Sequence, residues 1–372
     1  MDRPVVQPDP AFWRGRRVLL TGHTGFKGSW LALLLRQLGA DVVGLALDPP
    51  SEPSLFVQTG LWELIDDRRI DLLDAQAVAA VVQSVQPQVV LHLAAQSLVR
   101  EGYRRPLHTW NINVIGSLHL LEALRQLPHP CAVVVVTTDK VYANAELGEP
   151  FREYDPLGGH DPYSSSKAAL ELAVASWRQS YCGEAPHQTP LLRLATARAG
   201  NVIGGGDWAA DRIVPDAIRA LQRGVPIQVR NPAAIRPWQH VLDPLAGYLL
   251  LAERLMAAAT VAGAFNFGPD AADQRSVGEL MEELLQHWPA GSWLHAAENA
   301  PPLESERLLL NASLARSALD WQPRWGFEEA VARTAEWYRV VAMGGDPRRC
   351  CADQIAVYLS AFNLDSPARL LP

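Results

Sequence analysis

The chain has 372 residues, 48% of them hydrophobic and 20% charged, which suits a soluble protein with one large core or two closely packed lobes. Its net charge of −7 gives no electrostatic footprint for nucleic acid, so an anionic small ligand would need a local cluster of positive groups or helix N-termini. Cys131, Cys182, Cys350 and Cys351 lack metal-ligand spacing and the last two are adjacent, so neither a metal site nor a disulfide framework is expected; no stretch is long and apolar enough to span a bilayer.

The first 17 residues, MDRPVVQPDPAFWRGRR, hold three prolines, two acids and no apolar core. They read as a short tail and not as a signal peptide. Residues 17–20 form an apolar strand, followed by TGHTGFKG and by a helical pattern over 29–39 that ends at Gly39. A second strand spans 41–47, and a short third one precedes IDLLD at 70–74. A helix over 76–87 closes at a proline, a buried strand follows over 88–95, and a long amphipathic helix covers 111–127. The run VVVVTTDKVYA begins at Val133, apolar enough to be buried on both faces, and leads into Thr137, Thr138, Asp139 and Lys140. Another long helix covers 164–181. Strands rich in β-branched residues alternating with helices predict an α/β fold, a Rossmann-type doubly wound parallel sheet. After about Thr196 glycines, prolines and tryptophans break the order, as in GNVIGGGDW, and a smaller mixed lobe that shapes a pocket is expected.

Gly22, Gly25 and Gly28 form GxxGxxG between a strand and a helix. A tight turn, the close approach of a diphosphate and helix–strand packing each require a glycine, and the helix N-terminus offers amides to phosphate. Lys27 reaches either a phosphate or solvent. Asp48 ends the second strand about twenty residues past the last glycine, where an acid holds an adenosine ribose and favours NAD over NADP; an exposed turn residue is the plain alternative. Asp71 is placed to meet the adenine.

Tyr163 and Lys167 make YxxxK at the head of a helix, four residues apart on one face. A free phenol titrates near ~10, too high for a base at neutral pH, and a neighbouring ammonium with a cationic nicotinamide would lower it. Thr138 would then bond the hydroxyl that Tyr163 deprotonates.

TGHTGFKG, LHLAAQ, INVIGS, TTDKVY and DPYSSSK together resemble the extended short-chain dehydrogenase/reductase superfamily, which modifies nucleotide-linked sugars. RAGNVIGGGDW, RPWQHVLDPLAGY, FNFGP and LDWQPRW carry the likeness to about residue 325. Within it, GHTGFKGSWL, TTDKVY and IRPWQHVLDPLAGYL are most similar to the CDP-glucose 4,6-dehydratases.

The resemblance implies a redox-neutral elimination on bound NAD. Tyr163 takes the proton of the carbon 4 hydroxyl as a hydride leaves. The ketone acidifies carbon 5, one group removes that proton, another protonates the departing carbon 6 hydroxyl, and the hydride returns to carbon 6. The product would be a 4-keto-6-deoxy sugar of the kind used in O-antigen or lipopolysaccharide synthesis. Asp139 is expected as the acid and Lys140 as the base. The related dTDP-glucose and GDP-mannose dehydratases carry glutamate where Lys140 stands. A lysine base must fall from ~10.4 to near ~7, about 4 kcal/mol, by desolvation, Lys167 and the nicotinamide, with a protonated Asp139 withdrawing its opposition.

The resemblance further implies Phe26, Leu72, Ala94 and Ala95 as cofactor contacts, Asn201 and Arg236 on the diphosphate, Gln96 on the sugar, and a cytoplasmic homodimer pairing helices 111–127 and 164–181 across a two-fold axis. Arg100 faces either phosphate or solvent. His240 and Asp243 are expected to organise their loop, and Trp208, Trp238, Trp321 and Trp325 to pack loops and not to stack on a base. The expected division is 12–197 with 239–262 for NAD, 198–238 with 263–345 for the sugar nucleotide, and 346–372 as a C-terminal tail without an assigned role. Two other readings stay open: a nucleotide-sugar epimerase, which needs no acid–base pair beyond Tyr163 and Lys167, and a non-catalytic NAD-binding regulator.

Overall fold

The β-branched runs become a parallel sheet in the computed structural model, which describes residues 6–143, 148–182, 191–258, 261, 263–288, 290–296 and 308–360. Its strands are β1 (Arg17–Thr21), β2 (Asp41–Ala46), β3 (Asp66–Arg69), β4 (Val89–His92), β5 (Cys131–Val136), β6 (Leu192–Ala199) and β7 (Ala264–Phe267). They lie in the order β7-β6-β5-β4-β1-β2-β3, every neighbour parallel. The order reverses between β1 and β4, and a doubly wound sheet opens its ligand crevice at the carboxyl ends of the strands on either side of that reversal.

Strand alternation sends side chains to two apolar layers. Leu19, Val90, Val133 and Val135 meet the helices Ala75–Val85, Ser117–Leu124 and Pro162–Tyr181. Leu20, Leu91, Val134 and Val136 meet Phe26–Gln37 and Leu242–Ala257. Every residue of β5 is therefore buried, and its polar continuation begins only where the sheet ends.

Four features differ from the sequence expectations. β7 falls in 263–345, assigned to the second lobe, yet pairs with β6 from Ala264↔Thr196 to Phe267↔Ala199, so the sheet extends past residue 262. The single helix expected over 111–127 is interrupted: Asn111–Gly116 is wound as a π-helix, and the α-helix after it spans Ser117–Leu124. The N-terminal tail is docked from residue 7 onward: Gln7 Nε2 donates to the Tyr358 carbonyl at 2.9 Å, and the Asp9 amide and the Trp13 indole both donate to Glu253 Oε1, at 2.9 and 2.6 Å; residues 1–5 lie outside the described residues. Most of the C-terminal tail is a helix, Pro347–Ser360, that buries Cys351, Ile355 and Tyr358; residues 361–372 lie outside the described residues.

The docked C-terminal helix is pinned by Asp243, whose Oδ1 accepts from the Tyr358 hydroxyl at 2.9 Å and from the Arg324 amide at 2.7 Å. Asp243 and His240 thus hold the loops around them, as expected, and His240 lies between the rings of Trp30 and Trp325. Trp321 and Trp325 are core residues. Trp208 and Trp238 lie along the cleft described below, their indoles donating to Gln58 and to the Arg275 carbonyl.

Burial raises the Asp243 carboxyl from 3.8 to about 7, and burial likewise raises Glu253 to about 7. A carboxyl raised on folding binds its proton more tightly in the native state, so its stabilising contribution is complete below pH ~4 and is lost as pH rises through ~7. For Asp243 the contribution is on the order of 4 kcal/mol. The melting temperature should fall between pH 5 and pH 8, and D243N should flatten that slope in a thermal scan; an unchanged slope would place the pH sensitivity elsewhere.

Candidate active site

The strand ends line one cleft of about 2020 Å3, reached by the glycine loop, the ends of β2 to β6, the head of the Pro162–Tyr181 helix and segments 199–216 and 228–236. Single small-molecule pockets run to about 1,000 Å3, so this cleft has room for two ligands side by side.

The glycine loop has the division of labour read from its spacing. Gly22 has φ +78°, and a Cβ there would meet the Ala94 amide nitrogen at 2.7 Å. A Cβ on Gly28 would meet the Gly22 carbonyl at 2.1 Å. Gly25 meets no such obstacle, its nearest atom being the Gly22 carbonyl at 3.5 Å; a side chain there would enter the cleft. Gly25 also N-caps the Phe26–Gln37 helix, whose first turn receives no side-chain cap. Unfilled amides beside an open glycine form a cradle for a diphosphate, so these residues fit a dinucleotide. Phe26, Leu72, Ala94 and Ala95 line the same cleft. Asp71 spends one carboxylate oxygen on the Leu73 amide at 2.9 Å. Asp48 is 93% exposed at the rim, with Arg69 at 3.5 Å, so its negative charge is partly answered before any ribose arrives.

Thr138, Asp139 and Lys140 leave the end of β5 in a tight turn, with Thr138 as its N-cap. Asp139 is fully buried. Its Oδ1 accepts from Thr138 Oγ1 at 3.0 Å and from Lys140 Nζ at 3.1 Å, while Oδ2 has no partner. Tyr163 and Lys167 are both buried on the facing helix, and Lys167 Nζ donates to the Val136 carbonyl at 3.1 Å. Thr138 lies near enough to the Tyr163 phenol to lower it against burial. The tyrosine, the lysine pair and the buried acid are thus brought together.

Their electrostatics differ from the sequence expectation. Burial pushes the Tyr163 phenol above its ordinary value, opposed first by the Lys140 ammonium and then by Thr138. Burial lowers Lys167 to about 8, with Glu171 opposing it. Burial also works to lower Lys140, but Asp139 and then Tyr163 outweigh it and Lys140 lies above its ordinary value. A lysine lowered toward neutrality was expected; the ammonium is instead held by the carboxylate 3.1 Å away.

Asn201 and Arg236 both line the cleft, and the Asn201 side-chain oxygen is buried without a partner. Arg236 is 6% exposed and donates to the Ile235 carbonyl at 2.9 Å. Gln96 is differently employed. Its Nε2 donates to the Leu98 carbonyl and to Thr109, its Oε1 accepts from the Leu98 amide, and Asn113 clamps its backbone from the π-helical turn. It shapes the loop beside the sugar position with an amide already engaged. Arg100 is paired with Asp211 at 3.2 Å.

Three cleft features escaped the sequence reading. Arg212 lines the cleft, 2.9 Å from Asp207, and its positive field adds to desolvation in lowering the half-buried Lys27 to about 8. Arg230 stands across from it beside Asp211. Below the cleft, Glu171 and Arg198 form a buried ion pair at 2.9 Å. The available signal was a charge recurring on an otherwise apolar face: Glu171 is four residues past Lys167, and Arg198 interrupts LATARA.

Comparison with known proteins agrees with this geometry. The model of the NAD dependent epimerase/dehydratase family matches residues 18–268. The CDP-glucose 4,6-dehydratase of Salmonella typhimurium is 43% identical over 355 residues, covering 95% of this chain and 99% of that protein. The Thermus thermophilus UDP-glucose 4-epimerase, solved with NAD, superposes with a TM-score of 0.72 at 26% identity, covering 87% of this chain and 99% of its own. The dTDP-glucose 4,6-dehydratase of Bacillus anthracis, also with NAD, has a TM-score of 0.71 at 20% identity over 90% of this chain and all of its own, a likeness of fold. A dinucleotide cradle, the YxxxK helix and a family match spanning the whole sheet lead to one conclusion: this chain belongs to the NAD dependent epimerase/dehydratase family.

Proposed function

We propose that the protein removes water from CDP-glucose to give a CDP-linked 4-keto-6-deoxy sugar, as a hydro-lyase that begins and ends with oxidised NAD. The observation that carries this reading is the Asp139–Lys140 pair in the cleft wall beside Tyr163. An epimerase needs one proton acceptor and the cofactor; an elimination needs an acid and a base besides. The Salmonella relative's printed name supplies the nucleotide.

NAD, when bound, supplies the hydride acceptor at carbon 4 and the hydride donor at carbon 6. Tyr163 takes the proton of the carbon 4 hydroxyl, Thr138 orients that hydroxyl, and Lys167 with the nicotinamide charge lowers the phenol from its raised resting position. Lys140 then removes the carbon 5 proton, Asp139 protonates the departing hydroxyl, and the Lys140 ammonium returns a proton to carbon 5 as carbon 6 is reduced. Their ion pair at rest gives these roles a requirement: one proton must cross the 3.1 Å contact from Lys140 to Asp139 before either can act. Substrate entry favours that transfer by excluding water from the Lys140 ammonium, which is 29% exposed, and so raising the cost of its charged form. Arg236 and Asn201 hold the diphosphate, the arginine through its planar fork. The lobe formed by 198–238 and most of 263–345 closes the sugar-nucleotide side.

Two helical segments support a homodimer. Leu107, 80% exposed, and Leu172, 62% exposed, lie with Trp110 and Ile115 on adjoining helices that expose an apolar face. A second copy covering that face across a two-fold axis would bury it. No helix among the described residues is long and apolar enough to cross a membrane, and no disulfide joins the cysteines among the described residues, which is compatible with a reducing cytoplasm.

Incubated with CDP-, UDP- and dTDP-glucose and NAD, the protein should remove one water from CDP-glucose alone by mass spectrometry. A changed sugar configuration without mass loss would establish the epimerase instead. K140M should complete the first oxidation and then stall with reduced cofactor absorbing at ~340 nm; full turnover would remove Lys140 from the mechanism. L172K should convert a dimer to a monomer in sedimentation velocity, and a monomeric parent would refute the two-fold pairing.

A further inference from the structure

Neither Glu171 nor Arg198 lines the cleft, and neither has a part in the elimination, yet both are buried charges. A buried ion pair gives little or no net stability over apolar residues of the same shape, so its presence beneath reacting groups calls for another explanation. Glu171 stands on the same helix face as Lys167 and Tyr163, each four residues from the next. Its carboxylate is fully engaged. Oε1 accepts from Thr137 Oγ1 at 2.5 Å and from Arg198 Nε at 2.9 Å; Oε2 accepts from Thr196 Oγ1 at 2.7 Å and from Arg198 Nη2 at 2.9 Å. Arg198 continues outward, donating from Nη1 to the Tyr142 hydroxyl at 2.8 Å and to the Glu153 carbonyl at 3.0 Å. Tyr142 in turn donates to Asn266 on β7 at 2.7 Å.

Thr137 and Tyr142 flank Thr138, Asp139 and Lys140 on either side. Both flanks of the acid–base segment are therefore bonded into one network, and its centre also grips the helix that carries the tyrosine and lysine. We infer that Glu171, braced by Arg198, is a positioning residue that sets the register of the Thr138–Asp139–Lys140 segment against the Tyr163–Lys167 helix. The inference rests on the dehydratase reading above. It has a geometric and an electrostatic part. The geometric part runs through the Thr137 hydroxyl, because a displacement of the turn by about 1 Å can cost on the order of a hundredfold in rate. The electrostatic part runs through Lys167, which Glu171 faces from its own helix along with Tyr163, which His92 faces from β4, and which Lys27 faces from the glycine loop. Glu171 is the negative group among them.

The test compares the parent with T137V, E171Q and the double variant in the full-length protein with NAD and CDP-glucose. T137V removes one hydroxyl and leaves the ion pair, so it should melt close to the parent, lose about tenfold in kcat and leave KM within about twofold. E171Q should lose more, and the alkaline limb of its kcat profile should move to lower pH as Lys167 loses its supporting charge. The double variant should be no slower than E171Q, since both changes cut one connection. Parent-like kcat in T137V would overturn the inference, whether or not E171Q folds. So would effects that multiply in the double variant, or an E171Q profile with an unmoved limb. A parent that does not remove water from CDP-glucose would instead defeat the dehydratase reading, and this role with it.

Discussion

The Glu171–Arg198 pair, sealed beneath the carboxyl end of β5, is the contact on which the site's geometry depends. It ties the helix of Tyr163, which the sheet does not hold, to two strands that the sheet already pairs: the end of β5 through Thr137, and β6 through Thr196 and Arg198 itself. Removing one member of such a pair typically costs about 3–5 kcal/mol, because the other is left as an uncompensated buried charge. All four hydrogen bonds to Glu171 are in place, which is the condition under which a buried carboxylate rigidifies its surroundings. β7 is tied to the same network through Asn266, so the edge of the sheet farthest from the glycine loop also supports the acid–base turn.

Charge is distributed to suit an anionic ligand despite the net charge of −7. Lys27, Lys140, Lys167, Arg212 and Arg236 all line the cleft. Burial lowers Lys27 and Lys167, each to about 8, so both begin to lose their charge just above neutral pH. A dinucleotide and a nucleotide sugar bring two diphosphates, and those negative charges would raise both lysines and hold their charge to higher pH. Ligand binding and protonation of this cleft are therefore linked, and proton uptake should accompany it.

The frame of this arrangement was legible in the sequence because it rests on local rules. GxxGxxG works through clashes between a few backbone atoms, YxxxK through helical spacing, and a run such as Val133–Val136 through burial on both faces. Gln96 shows where locality ends. Its neighbours mark a cofactor strand, but whether its amide faces a sugar or braces Leu98 and Thr109 depends on a loop that returns past it. Asp48 is similar, since Arg69 reaches it only through the pairing of β2 and β3. β7 was placed in the wrong lobe because a four-residue strand far along the chain carries no sign of its partner. The C-terminal helix was missed for the same reason: its anchor, Asp243, is 115 residues from Tyr358. The Glu171–Arg198 pair is the strongest case, two charges in separate elements whose meaning comes only from their meeting.

The chemistry of the acid–base turn follows from what Asp139 can and cannot do where it sits. It is fully buried, one oxygen has two donors and the other has none. A carboxylate so placed depends heavily on the Lys140 ammonium, and the ammonium is in turn raised by it. Replacing lysine by glutamate would put two carboxylates side by side, and repulsion would keep one protonated without further help. With lysine the resting pair is instead neutral overall and internally bonded. The proton needed for the leaving hydroxyl is already present but resides on the wrong partner. In the proposed mechanism the step particular to lysine is therefore the transfer from Nζ to the carboxylate. Lys140 is the exposed partner, so a sugar that displaced water from its ammonium would make that transfer easier and switch on the pair that acts upon it.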